Sequence, residues 1–176
     1  MRIPAALILS LALSLSFGIG KPMKAIAPAG HPFSKSLFRN LPATPEALMQ
    51  RAVACLNRGD TAGFYNLGVT REEYLALYPY LDRADTVNHD DRDFRMGFFL
   101  MDNRKMIIRL FQERGGSGLE FSRLAFLAQP RSQGPFAFNE GFLAWVKKDS
   151  QETELLIAKS LIYVEGGWKF WGLKSD

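Results

Sequence analysis

Five polar or charged side chains interrupt apolar patterns in the second half of the chain, and they are the first candidates for chemistry. They are Asn103 and Arg104 in a helical pattern, and Arg123, Glu140 and Lys159 in strand-like patterns. A buried charge is costly unless it is paired or faces a wet cavity. These side chains could therefore form the polar floor of an aromatic-lined pocket. Charges that alternate onto a solvent face would give the same pattern.

Two kinds of pocket are compatible with these residues. In a non-catalytic binding or accessory domain, Arg104 would be the charge partner of a small apolar or anionic molecule. In a small lyase or isomerase, Glu140 would instead be the general base in a pocket that excludes water. No nucleophile or base accompanies Glu140 in a recognisable arrangement. We therefore favour the binding domain over an enzyme, leave catalytic residues unassigned and expect no cofactor.

The single cysteine, Cys55, does not support thiol chemistry. It lies between Val53 and Leu56 in a helical apolar pattern, and no histidine is near it in sequence. This pattern indicates that the cysteine packs as a small buried hydrophobic residue. With one cysteine, no intramolecular disulfide can form.

The most polar segment, residues 82–93, could suggest a metal site. It contains His89, Asp90, Asp91 and Asp93. The calcium-loop pattern fails because Arg92 stands where an oxygen ligand should be. Acidic residues also suit the start of a helix, where they complement its dipole. We therefore predict no metal.

Tryptophans in the C-terminal region indicate a third class of function, an interaction module. Trp145, Trp168 and Trp171 fall in strand-like segments, and tryptophan is favoured at interface anchors. The corresponding prediction is a homodimer, or a docking contact, formed through the sheet.

Composition limits the remaining classes. The chain has 176 residues with 47% hydrophobic and 23% charged, as expected of one soluble domain, and its 12% aromatic content favours a thick core or an apolar cavity. Residues 1–29 hold three of the 22 basic residues and none of the 18 acidic ones. The rest of the chain is thus close to neutral and gives no electrostatic reason to expect nucleic acid.

The N-terminal segment has the pattern of a signal peptide. Arg2 precedes an apolar run from residue 3 to residue 19, and cleavage is expected after Gly18, Gly20 or Ala29. An uncleaved anchor is the alternative, but the uninterrupted apolar core is shorter than the roughly 20 residues that a spanning helix needs. We predict a signal peptide at 1–20, a secreted or periplasmic protein, and no stable membrane insertion after cleavage.

Helices are predicted in the first part of the remaining chain. Residues 21–43 contain four prolines and are expected to be an extended linker that includes His31. A helix begins after Thr44 and stops at Gly59, and a capping box from Thr70 to Glu73 opens a second. The third and longest helix is expected over roughly 91–114, with Gly115 and Gly116 closing it.

The C-terminal part predicts a four-stranded antiparallel meander from Leu119 to Lys174. Its segments are 119–127, 136–148 with a bulge at 139–141, 154–165, and a last strand around Trp168 and Phe170. A hairpin turn is expected at Glu165-Gly166-Gly167.

This layout resembles the nuclear transport factor 2-like superfamily. The resemblance rests on Leu-Asn-Arg-Gly-Asp60, on Gly-Gly-Trp168-Lys169-Phe170, and on the order of elements over about residues 44–174. It implies a single α+β domain over 44–176, in which N-terminal helices pack on a strongly curved four-stranded antiparallel sheet around a cone-shaped cavity. It also implies dimerisation through the outer face of that sheet. It implies no reaction, because the fold hosts enzymes and non-enzymes, and the family's catalytic positions have no match here.

Overall fold

A computed structural model describes residues 37–81, 89–133 and 135–173. In these ranges the fold is α+β, with four α-helices followed by two antiparallel sheets. The predicted signal peptide, its cleavage positions, most of the linker and His31 lie outside the described residues. Within the described ranges, no helix combines the length and the apolar character needed to cross a membrane.

Three of the helices match the predicted ones, and the short helix that follows Gly59 was not predicted. They are α1 (Pro45–Arg58), α2 (Thr61–Tyr65), α3 (Arg71–Leu77), a 3-10 turn (Tyr78–Tyr80) and α4 (His89–Arg114). The Thr44 hydroxyl accepts from the Ala47 N–H at 3.1 Å, and Gly59 ends α1 at φ 69°. Both halves of the capping box at Thr70 and Glu73 are present. These predictions are confirmed. They could be made from the sequence because each depends on groups only a few residues apart.

The buried side of helix α4 does not include Arg104. Met96, Asn103, Ile107 and Leu110 are buried, whereas Arg104 is exposed. The prediction that Arg104 lies inside the buried stripe is therefore wrong. The apolar residues on the Arg104 side, Met101 and Ile108, are exposed as well.

The predicted meander is corrected to seven strands in two sheets. They are β1 (Glu120–Phe126), β2 (Arg131–Gln133), β3 (Phe136–Glu140), β4 (Phe142–Lys148), β5 (Gln151–Glu154), β6 (Ser160–Val164) and β7 (Gly167–Phe170). The three-stranded sheet has the order β1-β4-β5, and the four-stranded sheet has the order β2-β3-β6-β7.

The long predicted second strand divides because the chain changes sheets at Gly141. This residue has φ 76° and separates β3 from β4. The predicted third strand, 154–165, is shorter than expected: β6 covers only Ser160–Val164, and residues 155–159 connect it to β5 in the other sheet. The predicted hairpin is confirmed: Glu165 and Gly166 both have positive φ, and Val164 pairs with Gly167.

Two apolar clusters form the core, and α4 contributes to both. Its C-terminal half places Ile107 and Leu110 in the cluster that includes α1 and the three-stranded sheet. Its N-terminal half places Met96 in the cluster with α3 and the four-stranded sheet. The helix therefore joins the two sheets through a common packing surface.

The last part of the predicted linker packs on the domain. Phe38 is buried in the second cluster, and the Trp168 N–H donates to the Pro42 carbonyl at 2.9 Å. A Cβ on Gly167 would lie 2.1 Å from the Leu41 Cβ, so this contact requires glycine. The packed domain thus extends N-terminally to residue 37.

Candidate functional site

A cleft of about 260 Å³ lies between the α3 region, α4 and the four-stranded sheet, and we call it the aromatic cleft. Its lining residues are Tyr74, Tyr78, Leu81, Arg95, Arg131, Gln133, Phe138, Glu140 and Trp171. The helices supply one wall, β2 and β3 supply the other, and the residue after β7 supplies part of the floor. Residues distant in sequence therefore meet here.

The floor of the cleft is aromatic. The half-buried Trp171 ring stacks on Tyr74, with centroids 5.6 Å apart and an interplanar angle of 10°. Phe138 meets the edge of the same indole at 5.1 Å, and Phe99 packs beside it at 5.1 Å. Each ring is fixed by another ring, so the floor is preorganised to stack with a flat apolar group.

The rim of the cleft is polar and carries charges of both signs. Glu140 lies 3.8 Å from the Arg131 guanidinium, and their side chains are 70% and 62% exposed. Arg95 and Gln133 complete this edge. The rim thus offers two guanidinium groups, one amide and one carboxylate, a set that favours an anionic or hydrogen-bonding ligand.

A buried ion pair joins the helical wall of the cleft to the strand that leads to its floor. The Lys169 ammonium contacts the Glu73 carboxylate at 2.6 Å and donates to the Gly68 carbonyl at 2.9 Å. Both residues are less than 6% exposed. Because Glu73 precedes Tyr74 and Lys169 lies two residues before Trp171, the pair fixes the helix and the strand that carry the stacked rings.

Two opposing effects act on the pKa of the Lys169 ammonium. Desolvation lowers the pKa of Lys169, while the Glu73 carboxylate acts in the opposite direction by attracting and hydrogen-bonding the ammonium. Neither residue lines the cleft. The pair therefore has a structural role, and it positions the site without contacting a ligand in it.

Sequence reasoning missed this pair. Glu73 was fully explained by the capping box, where its carboxylate accepts from the Thr70 N–H at 2.8 Å. Lys169 alternates with Trp168 and Phe170, which is also the pattern of a solvent-facing lysine. The sequence did contain one signal, because Lys169 lies on the same strand face as Trp171. If that face is covered, Lys169 is buried and requires a partner.

Only one of the five polar candidates lines the aromatic cleft, and it is Glu140. Asn103 is buried, but its side-chain oxygen accepts from the Leu173 N–H at 3.0 Å and fastens the C-terminal segment. Lys159 is exposed beyond the end of β5. The five residues therefore do not form one polar floor.

Arg123 belongs to the three-stranded sheet and is satisfied there. Its guanidinium binds the Glu152 carboxylate at 3.0 and 3.2 Å and lies 3.6 Å from the centre of the Trp145 ring. The Arg123 and Ser122 hydrogen bonds lower the pKa of Glu152. This exposed cluster explains Arg123 without any ligand.

The three tryptophans occupy different environments. Trp171 is in the cleft floor, Trp145 lies under Arg123, and the half-buried Trp168 packs against Tyr163 with centroids 5.3 Å apart. They do not form one shared surface. The exposed Phe126 ring lies 6.4 Å from the Trp168 ring, measured between centroids.

A second and larger concavity, the α2–α4 groove, has a volume of about 670 Å³. It is lined by Thr61, Ala62, Tyr65, Leu100, Met101, Arg104, Ile107 and Ile108. The groove lies between two helices and is open to solvent to about the same degree as the aromatic cleft. It contains Arg104 but no partner for that cation among its lining residues.

The described residues contain no group of three or more His, Cys, Asp or Glu side chains that could hold a metal ion. In the segment 82–93, only Arg92 and Asp93 have described side chains, and they pair with each other at 3.1 Å. Cys55 is buried, and burial together with the Asp60 carboxylate raises the pKa of its thiol. A raised thiol pKa opposes nucleophilic chemistry.

Comparisons with known protein families, with curated proteins and with solved structures found no match.

Proposed function

We propose that this protein is an exported, non-catalytic binding domain whose aromatic cleft takes a small flat molecule with an anionic group. The observation that carries the proposal is the combination of a stacked aromatic floor around Trp171 with the guanidinium groups of Arg95 and Arg131 at the rim. The leader pattern supports export.

The size and lining of the cleft narrow the ligand class. Ligand pockets usually span roughly 300–1,000 Å³, so a cleft of about 260 Å³ suits a single ring with a short substituent. The rings of Tyr74 and Trp171 would contact its face, and Arg131 would contact a carboxylate. The resemblance to the nuclear transport factor 2-like superfamily, which implies a cavity between helices and sheet, supports the same location.

The enzyme alternative has less support. A general base in this cleft would be Glu140, but that side chain is largely exposed and lies beside Arg131. Neither feature supplies the water-excluding environment that the alternative requires.

Binding is tested with small aromatic probes and two matched arginine variants. Sodium benzoate and indole-3-acetate serve as aromatic anions, and benzamide is the neutral counterpart. We expect the anions to shift the NMR signal of the Trp171 indole N–H and to bind more tightly than benzamide. Arg131→Gln should weaken anion binding on the order of tenfold, because a hydrogen bond to a charged group is lost.

Arg104→Gln is the control, since Arg104 lies in the α2–α4 groove and not in the cleft. Equal weakening by both variants, or shifts confined to the groove, would place binding elsewhere. Native mass spectrometry of the protein purified from its own source provides an independent check, because a retained small molecule should appear as an added mass.

A further inference from the structure

The outward face of α4 carries a line of exposed apolar side chains, which we call the outer stripe. It consists of Phe94, Phe98, Met101 and Ile108, which are between 41% and 64% exposed. At about 100° per residue, this line lies opposite the buried line through Met96, Asn103 and Leu110. The domain's own core therefore leaves the outer stripe uncovered.

The spacing of the outer stripe is that of a coiled-coil seam. Steps of four and three residues lead from Phe94 to Phe98 and Met101, and the next steps reach Lys105 and then Ile108. Arg95 and Asp102 flank the seam on one side, seven residues apart. Gly97 and Arg104 flank it on the other side with the same separation.

We propose that the outer stripe packs antiparallel against the outer stripe of a second copy of this chain. In the register that aligns Phe98 with the partner's Met101, Phe94 lies against the stem of the partner's Lys105. Arg95 then lies beside the partner's Asp102. The twofold axis repeats each contact, so both helices gain the same apolar and ionic pairs.

Two residues on the helix have features that this arrangement explains. Asp102 is exposed and has no ion-pair partner in the described part of the chain. Gly97 is exposed, and a Cβ there would meet no atom within 4 Å, although glycine weakens a helix interior relative to alanine. In the proposed register Gly97 faces the partner's Arg104, and the missing side chain leaves room for that long side chain.

Charge also selects the orientation of the partner helix. A parallel pair would place Lys105 against the partner's Lys105 and Arg104 beside the partner's Arg109, so like charges would meet. The antiparallel pair of copies avoids this conflict.

The test is a charge exchange read by analytical ultracentrifugation over a dilution series. The unaltered protein should form a dimer. Arg95→Asp and Asp102→Arg should each weaken self-association on the order of tenfold or more, because two attractive contacts become repulsive. Mixing the two variants should restore a dimer, since each chain then supplies the charge that the other requires. Arg95 also lines the aromatic cleft, so oligomeric state and not ligand binding is the readout.

Phe98→Asp should abolish the dimer, whereas Phe126→Asp, which alters an exposed residue on β1, should leave it intact. Circular dichroism checks that each variant is folded. A monomer at all dilutions, loss of the dimer in Phe126→Asp but not in Phe98→Asp, or failure of the mixed variants to associate would overturn the proposal. So would a monomer whose Phe98 mediates co-sedimentation with anionic phosphatidylglycerol vesicles.

Discussion

Glu73 performs two structural tasks with one carboxylate. It closes the capping box by accepting from the Thr70 N–H at 2.8 Å, and it neutralises the buried Lys169 ammonium at 2.6 Å. The first contact is local and the second spans 96 residues of sequence. A helix start that would otherwise be a surface feature is therefore tied to the last strand.

Replacing one partner of this pair should be much more damaging than replacing both. Lys169→Met leaves a buried carboxylate without its cation, and we expect a loss of roughly 3 kcal/mol in the free energy of unfolding. Adding Glu73→Gln should recover most of that loss, because glutamine can still accept from the Thr70 N–H. Urea denaturation measures both values.

The exposed Arg109–Glu113 pair provides the control, since its 2.8 Å contact lies on the surface of α4. Glu113→Ala should cost about 0.5 kcal/mol or less. If Lys169→Met cost no more than Glu113→Ala, the buried pair would have no structural role.

At the scale of elements, the contact between residues 37–43 and the β6–β7 hairpin depends on one glycine. Gly167→Ala would force its Cβ against Leu41, and we expect a loss of roughly 1–3 kcal/mol. Because Leu41 is the obstacle, the Leu41→Ala and Gly167→Ala changes should cost less together than the sum of their separate effects. Thermal or urea unfolding of the four proteins measures this coupling. Additive effects would show that the hairpin does not pack on Leu41.

The elements whose signals are local were predictable from sequence, and those set by distant contacts were not. The cap at Thr44, the stop at Gly59 and the turn at Glu165–Gly166 are confirmed. Gly141 was identified as an irregularity, but only the pairing of β3 with β6 and of β4 with β1 shows that it divides two sheets. Period-two patterns do not reveal which strand lies alongside which.

The candidate site shows the same division. Glu140 and Trp171 were named from the sequence and do line the cleft, but they had been assigned to separate hypotheses. Arg104 was wrongly placed in a buried stripe because α4 has apolar residues on two faces. A helical projection does not show which of the two faces is buried. Tyr74 and Arg131 were missed because nothing local marks a residue that meets the site only after folding.

At the scale of the whole molecule, the leader pattern predicts an exported and shortened chain. When the full sequence is expressed in a bacterium with a general secretion pathway, we expect an intact mass that corresponds to cleavage after Gly18, Gly20 or Ala29. Leu13→Arg places a charge in the apolar run and should retain the protein inside the cell with residue 1 still present. An unshortened, membrane-held chain in the unaltered protein would instead support the anchor alternative.

The interleaving of the two sheets has a consequence for biosynthesis. The chain contributes β1 to one sheet, β2 and β3 to the other, β4 and β5 to the first again, and β6 and β7 to the second. Neither sheet can be completed from the first half of the strand region, and Glu73 meets its cation only when β7 exists. We therefore expect the nascent chain to remain unfolded until its C-terminal end has been made. An unfolded chain is also the form that can be threaded through a narrow export channel, so the late closing strand and the predicted N-terminal leader would serve the same step.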